Sequence, residues 1–497
     1  MKNAGPTSAN FAAIEPYNNF LILTKYSTLI GAIELSGRDP DGLTAADHAG
    51  LCAISQSIIG ALPRSVTITE YFEHSDGSSV QVRRRDDPRS DALSQQRESY
   101  LNSKNLNRSR IVHYFEIDPS ENLNDLDMLG LLRHGGMAMF SQRSRTILQN
   151  ALSWEKNFLL DRSELARQAK LLQDGISEVL AKWGGLFKVK QLTTQEQWAH
   201  MKFIASLDPQ SHEEGLTEAV PEEDMDAALS PGDVVPVTIG QIDLLKISGV
   251  TNVYAKLASV RRFSRKRGLM QPGLWAAQSK APVRLPGNYL IMTRWKPRTE
   301  ASTELFFGAK NRELDRARVD LFSVITGKQQ SEEVKNANLK ESIRKKISEL
   351  GIAESVSDVW GIGSSLVCVF GRDPKAIQDT ATALKAALGN AHINVTWESL
   401  QAPDAFASMQ PGNGHKPFRT LHLTSSQFAA GSLIYQSSEG QVVVPDMRMR
   451  KQHISSNRRT ARRSTTALSL TVGLWSSELG QFVKVRLLQK TRWQRIR

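Results

Sequence analysis

Gly327-Lys328, Gly414 with Lys416, and Gly361-Ile362-Gly363 come nearest to phosphate chemistry in this chain, and none completes it. A phosphate-gripping loop needs a strand, then Gly-x-x-x-x-Gly-Lys-[Ser/Thr], then a helix, so that backbone N–H groups and a lysine surround the anion. Gly327-Lys328 runs into Gln329, and His415 separates Gly414 from Lys416. Gly361-Ile362-Gly363 has Leu366 where a dinucleotide loop carries its third glycine, so it reads as a strand turn. The histidines are scattered, with no pair at metal-ligand spacing, and there is no Gly-x-Ser-x-Gly nucleophile elbow. Glu222, Glu223, Asp224 and Asp226 have the chemistry to hold a cation, but beside Pro221 and Pro231 they read as a solvated loop. Arg83-Arg84-Arg85 meets Asp86-Asp87 at once and reads as a locally neutralised loop. No catalytic, cofactor-binding or metal-ligating residue is assigned.

The elements around these strings belong to an ordinary folded protein. At 497 residues the chain is too long for one core, so two or more domains are expected. Apolar residues make up 40% and charged residues 23%, which excludes a disordered or fibrous chain. Cys52 and Cys368 lie far apart in apolar stretches, which points to a reducing compartment rather than a disulfide framework. No apolar run reaches the roughly 20 residues that span a bilayer. Phe20 to Leu35 comes closest and is broken by Lys25-Tyr26-Ser27-Thr28. No basic-then-apolar segment opens the chain, so no export signal is expected, and the body reads as cytoplasmic. The net charge is +12, and 13 Lys/Arg against 2 acids place +11 of it between Asp446 and Arg497. The nucleic-acid or anionic-membrane reading of a basic protein therefore applies to that tail alone.

Residues 17–74 read as strand, strand, helix, strand. Phe20–Leu23 and Leu29–Ile33 are short β-compatible runs, and Val66–Phe72 is the later strand. Thr44 with Asp47 makes a capping-box-like helix start, and Leu51, Ile54, Ile58 and Leu62 recur on one face before Pro63. The order returns at 356–399. Leu366–Phe370 is a strand, Asp373-Pro374 starts a helix with Ile377, Ala381, Leu384 and Leu388 inward, and Gly389 is its expected C-cap. Ile393, Val395 and Trp397 then alternate as a strand. These units predict an α+β fold in two domains, with helices on one face of mainly antiparallel sheets. Leu165, Ala169, Leu172, Ile176, Val179 and Trp183 mark a long helix that packs within the chain. Further helices are expected at 310–326 and 332–350. The domains are drawn at 1–211 and 233–445, with an acidic linker at 212–232 and a disordered basic tail at 446–497.

Three strings say more than composition. One is Asp243-Leu-Leu-Lys-Ile-Ser-Gly-Val-Thr-Asn-Val-Tyr-Ala-Lys-Leu-Ala-Ser-Val-Arg-Arg-Phe263, followed by Pro272-Gly-Leu-Trp-Ala-Ala277. The second is Gly287-Asn-Tyr-Leu-Ile-Met-Thr-Arg-Trp-Lys-Pro297. The third is Gln410-Pro-Gly-Asn413, then Arg419-Thr-Leu-His-Leu-Thr-Ser-Ser-Gln-Phe-Ala-Ala430 and Ser432-Leu-Ile-Tyr435. In this order, with Arg97, Leu101 and Ser109-Arg-Ile-Val-His-Tyr114, they resemble the CagE/TrbE/VirB family of type IV secretion and conjugal transfer ATPases. The resemblance covers residues 17–445.

It implies a cytoplasmic component, peripheral on the inner face of the inner membrane, whose partners are other inner-membrane secretion components and further copies of itself. In the family a C-terminal RecA-like motor binds ATP and magnesium. The part resembled here is implied to dock that motor to the membrane assembly. The family's strand and phosphate loop follow the counterpart of Tyr435; here Pro445 leads instead into Arg458-Arg459 and Arg462-Arg463 among Ser, Thr and Asn. The tail is expected to be out of frame or fused where the motor would begin, and no cofactor is expected on this chain. Two other readings stand beside this one: an ATP-binding secretion ATPase with a degenerate loop, and nucleic-acid or anionic-lipid binding through the tail. Trp275, Arg294 and Trp295 are expected to orient the fold, and Arg419 is placed to reach toward a nucleotide on a following domain.

Overall fold

β1 (Ala13–Pro16), β2 (Leu21–Thr24) and β3 (Leu29–Leu35) form an antiparallel meander. Ser27 turns the chain between β2 and β3 at φ +59°, where the polar break at 25–28 predicts a turn. The computed structural model describes residues 7–38, 43–78, 84, 87–103, 106–117, 162–230, 232–249, 251–262, 285, 287–298, 303, 358–390, 392–415 and 417–436. Trp275, the helices expected at 310–350 and the tail at 446–497 lie outside them.

α1 (Ala45–Ala61) starts with a complete capping box, Thr44 accepting from the Asp47 N–H and Asp47 from the Thr44 N–H. β4 (Val66–Ser78) and β5 (Leu106–Ile117) flank α2 (Pro88–Asn102) in sequence. α2 is capped by Asp87 and belongs, with the rest of 77–108, to a separate compact unit, where Arg84 pairs with Glu98 at 3.8 Å. The remaining described chain, 7–76 and 109–436, is the main unit. It continues through α3 (Arg162–Gly184), β6 (Val189–Gln191), α4 (Thr194–Ser206), α5 (Pro209–Thr217) and α6 (Met225–Leu229). β7 (Val234–Ile239), β8 (Ile242–Ile247), β9 (Val253–Arg262), β10 (Asn288–Pro297) and β11 (Trp360–Gly371) follow. α7 (Pro374–Asn390), β12 (Asn394–Glu398), α8 (Ala402–Met409), β13 (Leu421–Thr424) and α9 (Ser425–Ala430) complete it.

The strands join one 13-stranded, mainly antiparallel sheet in the order β1-β2-β3-β5-β4-β10-β11-β9-β8-β7, with β6 beside β3, β13 beside β11 and β12 beside β9. The α+β class expected from sequence holds. The layering differs from expectation, because helices cover both faces. Leu172, Ile176 and Val179 of α3 share one core with Ile58 of α1, Leu384 of α7 and Phe428 of α9. On the other face Trp198 and Ile204 of α4, Met225 of α6 and Phe406 of α8 share a second core with Ile30, Tyr71 and Leu290. Strands buried on both faces lose the simple apolar–polar alternation that signals one covered side.

The boundary drawn at 212–232 is corrected too. β4 pairs with β10 from Tyr289↔His74 to Trp295↔Ile68, so the first and second halves of the chain share one sheet. The supposed linker contains the end of α5 and all of α6, with His212, Met225 and Leu229 buried. A Cβ on Gly215 would lie 2.6 Å from the Ala199 Cα, so glycine lets α5 cross α4 closely. Exposed acids hid this segment's buried face in the sequence. α7 begins on Asp373 as expected, but it runs through Gly389 to Asn390, and His392 takes the left-handed conformation at φ +58°.

Candidate functional site

The second and third of the strings singled out in the sequence meet in the interior. Arg294, in the middle of β10, is 1% exposed. Its guanidinium donates to Thr69 Oγ1 at 3.0 Å, Ser408 O at 2.8 Å, Asn413 O at 2.9 Å and Gln410 O at 3.2 Å. Thus Gly287–Pro297 is tied directly to Gln410–Asn413. Next to it, Trp295 donates Nε1–H to Leu423 O at 3.1 Å and stacks on Phe428, both in the Arg419–Ala430 string. Both residues orient the fold.

A second knot ties the final string to the N-terminal half. Glu70 of β4 accepts from Ser432 Oγ at 2.6 Å and from the Leu433 N–H at 2.8 Å. His113 of β5 lies 3.0 Å from Leu433 O through Nε2. Tyr435 and His48 of α1 are hydrogen-bonded at 3.1 Å, and Gln436 donates to Ser109 O at 2.7 Å. Backbone bonds from Arg38 N to Ile434 O at 2.8 Å and from Gln436 N to Arg38 O at 3.0 Å hold the segment in place.

The α4 face of the sheet buries an ionisable chain that no sequence motif signals. Tyr114 is hydrogen-bonded to His200 Nδ1 at 2.8 Å, and His200 Nε2 contacts Glu73. Burial pushes the Tyr114 phenol well up, so it keeps its proton and donates. His200 Nδ1 must then accept, which leaves Nε2–H facing the carboxylate. Burial also lowers His200, against the upward pull of the Glu73 carboxylate. For Glu73 burial acts upward, but the His200 contact and the Arg110 charge outweigh it and hold the carboxyl at about 2.

Arg110, 5% exposed, completes the array. Its Nε and Nη2 donate to Glu34 at 3.1 and 3.2 Å, and its Nη1 lies 2.6 Å from His212 Nε2. In sequence Glu73 and Arg110 do not stand out, because β4 and β5 carry many other polar residues.

Glu73 gives a pH prediction. Its folded value lies below its ordinary one, so its stabilising contribution is full above about pH 4.5 and fades as pH falls toward 2. Urea unfolding at pH 5 and pH 3 should show a smaller pH-dependent loss in Glu73→Gln than in the parent; equal losses would contradict the assignment.

The other singled-out residues fall as follows. Gly361 and Gly363 are not a turn but the interior of β11, opposite Pro297 and Trp295. Gly414 donates its N–H to Glu116 at 3.0 Å, while Gly327 and Lys328 lie outside the described residues. Asp224 sits at φ +55° before α6, and no group of three or more His, Cys, Asp or Glu is placed to hold a metal among the described residues. Arg419, at φ +55°, bonds Glu398 at 3.1 Å and also Gln401 and stacks on Phe418, so it is tethered within the fold rather than aimed outward.

Among the described residues no helix is long and apolar enough to cross a membrane. No protein-family model and no curated protein matches this chain.

Proposed function

We propose that residues 17–445 correspond to the N-terminal and central portion of a type IV secretion or conjugal transfer ATPase. They serve as a docking body on the inner-membrane secretion complex. One observation supports this reading: the second and third strings and the N-terminal one are joined to one another by the buried bonds of Arg294, Trp295, Glu70 and His113. Their convergence makes them parts of one folded body, which is what a docking unit requires; the family assignment itself rests on the resemblance of the strings. The body is placed in the cytoplasm, peripheral to the inner face of the inner membrane.

ATP hydrolysis by this chain is not part of the reading. Phosphoryl transfer needs a lysine and a ring of backbone N–H groups around the developing charge, and the sequence contains no string that would supply them. The expected result is that purified chain hydrolyses ATP no faster than buffer. It should also co-purify with detergent-solubilised inner-membrane components of a type IV secretion system expressed beside it. Turnover that follows the folded protein through chromatography would remove the non-hydrolytic reading. Failure to co-purify with any of those components would remove the docking role.

A further inference from the structure

β7 closes one end of the strand order, with β8 on one side and no described strand on the other. From Val234 to Ile239 it reads Val-Val-Pro-Val-Thr-Ile, without a charged residue and rich in β-branched side chains. An uncharged, strongly β-forming strand at an open edge is a template on which another chain can add. Pro236 stands in its middle and is exposed.

Both ends of the β7–β8 hairpin fix the way the backbone faces at Pro236. At the open end the Ser248 N–H donates to Asp233 O at 2.8 Å. At the closed end Gly240, at φ +64°, and Gln241 make a two-residue turn between Ile239 and Ile242, whose closing pair is hydrogen-bonded. Bonded and non-bonded pairs alternate along an antiparallel ladder. Val235↔Lys246 and Val237↔Leu244 therefore exchange backbone bonds, while Val234↔Ile247, Pro236↔Leu245 and Thr238↔Asp243 do not. The main-chain groups of Val234, Pro236 and Thr238 point away from β8, into the row that an added strand would use. Pro236 thus costs the hairpin no bond and leaves a gap at the centre of that row. β1, at the opposite end of the strand order, repeats the arrangement. There the Tyr17 N–H donates to Leu21 O at 2.9 Å, so Pro16, opposite Ile22, also falls on an outward position.

We infer that Pro236 is a block against strand addition, and that the strand it excludes is β7 of a second copy of this chain. Two β7 strands paired antiparallel about this position would set Val234 against Thr238 and Pro236 against Pro236. The central pair would lack both N–H donors, and each ring would press on the facing carbonyl. Any other residue at 236 supplies the donors and completes the ladder.

Sedimentation velocity of the full chain over a range of concentrations, comparing the parent with Pro236→Val, tests the block. The variant should self-associate about tenfold more tightly or better, as two restored backbone bonds require. Amide exchange within 234–239 should slow with concentration in the variant and not in the parent. Adding Thr238→Pro removes another outward donor without touching a backbone bond to β8, and should return association to the parent's level. Pro236→Ala restores the same donors with a smaller side chain and should act in the same direction. Association no tighter than the parent's in both variants, protection gained only outside 234–239, or association that survives Thr238→Pro would overturn the proposal. Loss of the fold in both variants would overturn it as well, since an exposed position whose backbone faces outward must tolerate replacement.

Discussion

Replacing Arg294 with methionine should cost on the order of 4 kcal/mol of unfolding free energy, read as a fall in urea midpoint at unchanged slope. Methionine fills much of the volume but donates nothing. The carbonyls of Ser408, Gln410 and Asn413 would then be buried around an apolar side chain. Each abandoned buried acceptor costs about 1–3 kcal/mol, and because they share one donor group their costs do not simply add. Arg294→Lys keeps the charge but loses the planar fork, and should recover about half of the loss. A methionine variant within about 0.5 kcal/mol of the parent would show that Arg294 is not what joins β10 to the 410–413 turn.

Gly361→Ala should destabilise by about 3 kcal/mol although it adds one methyl group. A Cβ there would lie 2.2 Å from Trp295 Nε1, 2.3 Å from its Cε2 and 2.6 Å from Lys296 O. The indole cannot step aside cheaply: it is 1% exposed, donates to Leu423 O and stacks on Phe428 at 5.6 Å. The diagnostic is a double-mutant cycle. In a Trp295→Leu background the same Gly361→Ala change should cost clearly less than in the parent, because the indole clash is gone and only the approach to Lys296 O remains. Additive costs would place the strain elsewhere.

How much of this was legible in the sequence depended on whether a residue's partner was near in the chain. Thr44 and Asp47 lie three apart, so the α1 cap could be read directly, and the spacing of Leu172, Ile176 and Val179 revealed the buried face of α3. Asp373-Pro374 announced α7 in the same way. Gly361 looked like a turn because the bulky residue that requires it, Trp295, is 66 positions earlier and becomes its neighbour only when β10 pairs with β11. Helices on both faces were missed because β4 and β5 carry polar residues inward, and several of those meet partners on α4, α5 and the 432–436 segment, far away in the chain. A glutamate in a strand looks like a solvent face until its distant partner is known. The linker assignment failed similarly: Glu213, Glu214 and Glu222 advertise solvent, while His212 and Met225, which anchor the segment, give no periodic signal.

The clasp formed by Arg38, Ile434 and Gln436 has a mechanical consequence. Tension applied to the polypeptide beyond Gln436 is carried first by two main-chain bonds to Arg38 and by the Gln436 amide on Ser109, a residue of β5 near the middle of the strand order. Load entering there passes straight into the sheet instead of peeling a helix from its surface. A pull from beyond that point is shared between the chain just after β3 and the backbone of β5.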